Sequence, residues 1–78
     1  MDKVAQGERA GLAAQIPPAA FTVREFCWAH RISRALFYLM MREGRGPRVM
    51  KARRRTLITA EAAAEWRQRM ESASVEAA

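Results

Sequence analysis

The chain has 78 residues, with 14 lysines and arginines against 8 acidic residues, one cysteine and one histidine. This length allows one small domain at most; the single cysteine excludes an intramolecular disulfide, and one cysteine with one histidine cannot form a structural zinc site, so we expect no metal and no cofactor. There is neither an apolar run of the roughly 20 residues that span a bilayer nor a segment of signal-peptide type, so we expect a cytoplasmic protein.

The positive charge is concentrated in the middle of the chain. Ten basic and two acidic residues lie between Arg24 and Arg55, a balance of +8 within a total of +6. Arginine contacts both phosphates and guanine edges, so such a cluster favours a nucleic-acid partner. A membrane surface or an ordinary solvated face would also tolerate this charge, and charge alone does not separate these interpretations.

The chain is predicted to begin with a flexible arm followed by a helix. Residues 1–20 are rich in alanine, glycine and glutamine and end near two prolines, and they offer little apolar surface to bury. Thr22 and Glu25 then form the pattern of a capping box, in which each side chain accepts a hydrogen bond from a free backbone amide at a helix start. This pattern predicts a first helix from Val23.

The first helix is predicted to bury Val23 together with Phe26 and Cys27, which follow it by three and four residues and therefore share its face. Cys27 is then a small core residue rather than a reactive thiol. Trp28 lies off that face. A tryptophan there is either a lid over the edge of the core or a contact surface, and the sequence leaves both interpretations open.

A second helix is predicted between Ser33, a favourable N-cap, and Gly44, which suits a left-handed C-cap. Its phase is ambiguous because most of its central residues are apolar. The register that we favour buries Phe37, Met40 and Met41, and it leaves the following residues outward or flanking: Arg34, Ala35, Tyr38, Leu39 and Arg42. The other register buries Leu36, Leu39 and Met40.

A basic hairpin is predicted after Pro47. Val49 and the pair Leu57 and Ile58 are β-formers, and they flank a basic run over residues 51–55. Like charges in that run repel one another, and a nearby phosphate backbone would relieve the repulsion. An ordinary solvated loop is the alternative interpretation.

A last helix is predicted to follow Thr59, which is a suitable N-cap. Glu61 and Glu65 are favourable near its start, and Arg67 and Arg69 near its end. One face carries Ala62, Ala63, Trp66 and Met70, so Trp66 is expected to anchor this helix on the core. The folded domain is expected to span residues 21–71, and residues 72–78 are predicted to form a disordered tail.

The order of the segments TVREF, ISRALFYLMMREGRGPR, KARRRTLIT and EAAAEW resembles the excisionase and AlpA-like proteins, relatives of the MerR-type winged helix-turn-helix domains. The resemblance covers about residues 21–69. It implies a mostly α fold with a small β-hairpin, in which two helices are followed by a basic two-stranded wing and a closing helix.

The resemblance also implies a function in DNA recombination. Proteins of this kind look like recombination directionality factors, which bind and bend DNA cooperatively so that excision of an integrated mobile element is favoured. Others are small transcriptional regulators of a mobile element or prophage gene, which is the alternative. The implied partners are double-stranded DNA, further copies of the chain on adjacent half-sites and a site-specific integrase, in the nucleoid of a bacterial cytoplasm.

The resemblance assigns DNA contacts to the second helix and the wing. Ser33, Arg34, Ala35 and Tyr38 would lie at the major groove, and Arg53 and Arg54 would reach the backbone or the minor groove. With the other basic residues of the segment, the expected DNA-binding set is Arg24, Ser33, Arg34, Ala35, Tyr38, Arg42, Arg48, Lys51, Arg53, Arg54 and Arg55.

Two departures from the family pattern bear on that assignment. The family usually has polar residues where this chain has Ala35, Leu36 and Leu39, so the recognition surface is apolar and suggests contact with thymine methyls or with an adjacent monomer. Many relatives have glycine at the wing tip, where this chain has Arg53. Arginine would be strained there if the position needs a positive φ, unless the turn is of another type.

Two other classes of function are alternatives to DNA binding. A protein-interaction module would use Trp28, Leu36 and Leu39 to bind a partner helix, and its binding would be insensitive to salt. An enzyme is not expected, because one histidine, one cysteine and no convergent pair of carboxylates leave no nucleophile with a base.

Overall fold

The computed structural model describes residues 16–77, which form three helices and a three-stranded antiparallel sheet. In chain order the elements are β1 (Ala20–Thr22), α1 (Val23–Ala29), α2 (Arg34–Arg42), β2 (Met50–Ala52), β3 (Arg55–Thr59) and α3 (Ala60–Ala77). This layout is compatible with a winged-helix-like arrangement and contains the predicted series of two helices, a hairpin and a closing helix. None of the helices in this part of the chain is long and apolar enough to cross a membrane.

Strand β1 was not predicted, and it makes the sheet one strand wider than the expected hairpin. The strand order is β1-β3-β2, with Phe21 opposite Ile58 and Thr22 opposite Leu57. A further hydrogen bond of 2.9 Å runs from the backbone N–H of Ala60 to the carbonyl of Ala19. The predicted arm over residues 1–20 therefore overlaps the folded domain at its last two residues, Ala19 and Ala20, and its first fifteen residues lie outside the described part of the chain.

The core lies where α1, α2 and α3 meet β3. Its buried residues are Phe26, Cys27, Phe37, Ile58, Ala62, Ala63 and Trp66. Phe26 is at the centre, with its ring 4.1 Å from that of His30, 5.1 Å from Trp66 and 5.7 Å from Phe37, measured between centroids. The predicted buried faces of the first and last helices are thus confirmed, and Trp66 anchors α3 as expected.

All three helices begin at the caps predicted for them. The backbone N–H of Glu25 donates to Thr22 Oγ1, and the N–H of Thr22 donates to the Glu25 carboxylate, which completes the capping box. Ser33 Oγ accepts from the N–H of Leu36 at 3.0 Å, and Thr59 Oγ1 accepts from the N–H of Ala62 at 3.0 Å. These bonds satisfy amides that have no partner within the helix.

Helices α1 and α2 end in the same backbone motif. After α2, Gly44 has φ 75°, its N–H donates to the carbonyl of Met41, and the next N–H, of Arg45, donates to that of Met40. After α1, Arg31 has φ 58°, and the pattern repeats with Arg31 bonded to Trp28 and Ile32 to Cys27. Both are Schellman motifs, whose left-handed residue is usually glycine. The left-handed cap at Gly44 was predicted, but arginine in that conformation after α1 was not.

The wing is shorter at its tip than predicted. Lys51 and Ala52 belong to β2 and Arg55 begins β3, so that only Arg53 and Arg54 form the turn. Val49 lies before the strand. Arg53 has φ 56°, the positive φ in which arginine is expected to be strained.

Two substitutions at left-handed positions should change the stability of the domain in opposite directions. Arg53→Gly is expected to raise the free energy of unfolding by about 1 kcal/mol, since a left-handed residue with a Cβ costs roughly 1–2 kcal/mol. Gly44→Ala should lower it by about the same amount, because a Cβ at Gly44 would meet no atom within 4 Å and the cost is purely conformational. Urea titration measures both. A loss of stability in Arg53→Gly would show that the Arg53 side chain makes a stabilising contact.

Helix α3 continues to Ala77, so the prediction of a disordered tail from residue 72 differs from the structure. Residues 72–75 are exposed but compatible with a helix, and Ser74 Oγ donates to the carbonyl of Met70 at 2.8 Å. Arg67 and Arg69 consequently lie in the middle of α3 rather than near its end. They contact the neighbouring His30 and Gly46 instead of the last carbonyls of the helix.

Candidate nucleic-acid interface

The orientation of α2 is fixed by the residues that it buries. Phe37 is 2% exposed, and Met40 and Met41 pack against the core. Leu36 and Leu39, which the other register would bury, are 40% and 42% exposed. The favoured register is therefore confirmed, and the exposed surface of α2, which we call the outer face, consists of Arg34, Ala35, Leu36, Tyr38, Leu39 and Arg42.

The loop after α2 holds this helix against α3. The indole N–H of Trp66 donates to the carbonyl of Arg45 at 3.0 Å, and the guanidinium of Arg69 donates to the carbonyl of Gly46 at 3.2 Å. A Cβ at Gly46 would collide with the side chain of Met41 and lie 3.3 Å from its Cα, so the loop passes close under the end of α2. These contacts give the outer face a rigid support.

Ser33 lies at the N-terminal end of α2, beside the outer face, and it caps the helix. Its Oγ caps α2 by accepting from Leu36. The hydroxyl retains its own proton, which can still be donated to a ligand. Arg34 follows directly and is exposed. The first turn of α2 therefore presents a hydroxyl donor and a guanidinium at the same end of the helix.

The basic residues of the wing project from more than one side. Side chains alternate between the faces of a strand, and Lys51 is opposite Thr56 while Ala52 is opposite Arg55. Lys51 therefore shares a face with Thr56, to which its Nζ donates at 2.6 Å, and Arg55 projects from the other face. Arg53 and Arg54 occupy the tip between them. The wing is thus a ribbon with positive charge at its tip and on both faces.

The arginines differ in whether their charge is matched. Within residues 16–77, ion pairs form at Arg45 with Glu43, and at Arg48 and Arg69 with Glu65. Arg48 makes the shortest of these, with Nη2 2.9 Å from the Glu65 carboxylate, and its Nε donates to the same oxygen. The carboxylates of residues 16–75 form no such pair with Arg34, Arg42 or the three wing arginines. Arg48 is therefore a weaker candidate for DNA contact than its charge alone indicated.

The expected DNA-binding set is divided among four places. The outer face of α2 and its cap contain Ser33, Arg34, Ala35, Tyr38 and Arg42, and the wing contains Lys51, Arg53, Arg54 and Arg55. Arg24 lies apart on α1, beside a shallow groove that includes Phe21 and Trp28. Arg48 lies in the loop before β2. All of these residues are exposed.

Trp28 and His30, near the turn after α1, make contacts that were not predicted from the sequence. Trp28 is 72% exposed, and the guanidinium carbon of Arg31 lies 5.4 Å from its ring centroid. His30, predicted only as part of the turn, stacks on Phe26; its Nδ1 bonds to the Phe26 carbonyl, and its Nε2 to Arg67 at 3.0 Å. The side chain of His30 is thus engaged in holding α1 to α3. The sequence signal for this contact was that His30 follows Phe26 by four residues, which places both on the same face of a helix.

Cys27 behaves as a core residue in its chemistry as well as its position. Burial raises the pKa of the Cys27 thiol, and the positive charge of Arg34 acts in the opposite direction to a smaller extent. The raised pKa keeps the sulfur protonated at neutral pH, and the thiol is the weaker nucleophile of the two forms. In the described part of the chain, histidine, cysteine and acidic side chains do not gather in groups of three that could hold a metal ion.

Comparison of the chain with protein-family models, with curated proteins and with solved structures finds no match. Two exposed basic elements are the features of the structure that bear on function. One is a short helix with a defined outer face, and the other is a two-stranded ribbon with arginines at its tip.

Proposed function

We propose that this chain is a sequence-specific DNA-binding protein of winged helix-turn-helix type. In this proposal α2 enters the major groove through its outer face, and the wing contacts the adjacent phosphates. The observation that carries the proposal is the exposure of Arg34, Tyr38 and Arg42 on one supported helix face, in a domain whose wing arginines lack carboxylate partners among residues 16–75. A helix of this width fits the major groove of B-DNA.

The charge of the wing supports a phosphate-binding role. Arg53, Arg54 and Arg55 are consecutive and exposed, so their mutual repulsion is unfavourable in the free protein. Phosphates on both sides of a groove edge would neutralise charges that project from both faces of the ribbon. Neutralisation releases counterions from DNA, which adds affinity without sequence preference.

Within this class we propose an excisionase-like accessory factor that acts without catalysis of its own. A domain of this size covers little DNA, so several copies on adjacent half-sites, or bending of the DNA, are the available means of gaining affinity. A transcriptional regulator of a mobile element would use the same surface, and it differs in where its binding site lies. An excision assay with the cognate integrase, with and without this protein, distinguishes the two.

The proposal is tested by a gel-shift titration on the DNA that flanks the gene, with random DNA as competitor and at two salt concentrations. Specific, stepwise and salt-sensitive shifts are expected. One independent monomer per site would contradict the cooperative assembly, and no shift at low salt would contradict DNA binding itself. In the latter case, salt-insensitive binding to a protein through Trp28, Leu36 and Leu39 becomes the better explanation.

Single substitutions separate the proposed roles of α2 and the wing. Arg34→Ala should weaken binding to the specific site by roughly 1–3 kcal/mol if Arg34 pairs with a guanine, and should change binding to random DNA little. Arg54→Ala should weaken binding to all sequences alike and lower the salt slope by about one. Fluorescence anisotropy on specific and random duplexes measures both. Equal losses on the two duplexes in both variants would contradict this division of roles.

A further inference from the structure

The centre of the outer face of α2 is apolar. Successive residues of an α-helix are about 100° apart, so Ala35 and Leu39 lie on either side of the line directly opposite the buried Phe37. Leu39 is 42% exposed, and Ala35 is also exposed. Arg34 and Arg42 lie at the two ends of this face. The side chains that point most directly away from the core are therefore the methyl group of Ala35 and the isobutyl group of Leu39. They lie between the two arginines along the helix.

An apolar side chain at the floor of a major groove discriminates between bases. Guanine, cytosine and adenine expose hydrogen-bonding atoms there, whereas thymine also exposes a C5-methyl group. Leucine against a polar base edge would remove its water and offer no hydrogen bond in return. Against a thymine methyl, the same leucine buries apolar surface on both partners. The chemistry of Leu39 thus favours a thymine at the position that it meets.

We propose that α2 selects DNA by the 5-methyl groups of thymines at the centre of its contact, with Leu39 as the specificity-determining residue and Ala35 beside it. This inference rests on the proposed function, and it adds the class of site that is recognised. Arg34 and Arg42 are eight residues apart, about 12 Å along the helix axis, which corresponds to roughly three and a half base-pair steps. The expected site is therefore a short T·A element flanked by guanines or phosphates that the arginines contact.

A second copy of the chain is the other occupant that an apolar helix face could have. Pairing the outer face of α2 with the same face of another copy would bring Arg34 and Arg42 of both copies together. These arginines have no ion pair with the carboxylates of residues 16–75 that could offset the repulsion. Negatively charged DNA complements the same arrangement, so charge favours DNA over self-association on this face.

The test replaces thymine by deoxyuridine, which lacks only the 5-methyl group, in a site selected from random duplex DNA. Replacement at the T·A positions under α2 should weaken binding about fourfold for each methyl contacted, the effect of one buried methyl group. The protein is unchanged in this comparison, so its folding does not affect the result. Deoxyuridine outside the contacted positions is the control and should have no effect.

The protein side of the test uses Leu39→Ala with Leu36→Ala as its matched control. Leu39→Ala should weaken binding to the thymine site and remove the difference between thymine and deoxyuridine. Leu36 is about as exposed but lies at the edge of the outer face, so Leu36→Ala should keep that difference. Specific binding that ignores the methyl groups would overturn this inference and leave the proposed function standing. Absence of specific DNA binding would overturn both, and dimerisation lost on Leu39→Ala would assign the face to a second copy.

Discussion

Phe26→Ala is expected to unfold the domain at room temperature. The ring is completely buried and contacts the rings of His30, Phe37 and Trp66, so it joins α1 to both other helices. Truncation of a buried phenylalanine to alanine costs about 3–5 kcal/mol. A core in a chain of this length rarely supplies more than about 3–5 kcal/mol in total. The substitution therefore removes most or all of the stability.

Circular dichroism and thermal melting measure this effect. Phe26→Leu keeps most of the apolar volume and should retain a cooperative transition at a lower temperature. Trp28→Ala is the matched control, because this tryptophan is also an aromatic residue of α1 but is 72% exposed, and its loss should change stability little. A cooperative, near-native melt of Phe26→Ala would mean that the centre of the core lies elsewhere.

Removal of the wing charges is expected to produce the largest loss of DNA affinity. The triple variant Arg53→Gln, Arg54→Gln and Arg55→Gln would lose the three proposed phosphate contacts, so the slope of log affinity against log salt should fall in magnitude by about three. At 0.1 M salt this corresponds to a decrease of about a hundredfold or more in affinity for every sequence. Titrations at several salt concentrations on specific and random duplexes measure the slope.

The matched control removes the same number of charges from arginines that already have partners. Arg45, Arg48 and Arg69 each form an ion pair with a carboxylate. Replacing these three by glutamine should reduce the slope much less, and exposed ion pairs of this kind contribute at most about 1 kcal/mol each to stability. An equal loss of slope in the two triple variants would show that net charge, rather than the position of the wing, determines affinity.

The helices could be predicted from sequence because their signals are local. Thr22 with Glu25, Ser33 and Thr59 are caps that act within three residues, and the buried faces of α1 and α3 follow the helical period. Strand β1 could not be predicted in the same way. It has only three residues, and its pairing partner lies far along the chain in β3. The short element is stabilised by a tertiary pairing that no local pattern contains.

In the candidate site, too, the features set by neighbouring residues could be predicted and those set by residues far apart in sequence could not. The outer face of α2 was predictable because the positions of Ser33 and Gly44 favoured one helical register over the other. The ion pair between Arg48 and Glu65 joins residues 17 apart in sequence, and charge counting could not identify it. The left-handed conformation of Arg31 could not be predicted either, because glycine is the residue usually found at such a position and this chain has arginine there.

Strand β1 has a consequence for the order in which the chain folds. Its nearest pairing joins Thr22 to Leu57, 35 residues apart, whereas β2 and β3 meet at Ala52 and Arg55 across a two-residue turn. Closing the longer loop costs about 2 kcal/mol more in chain entropy. The hairpin can therefore form before β1 docks, and β1 is expected to detach first when the native sheet opens. While β1 is detached, the exposed edge of β3 can pair with another chain, so aggregation during folding is expected to start at this edge.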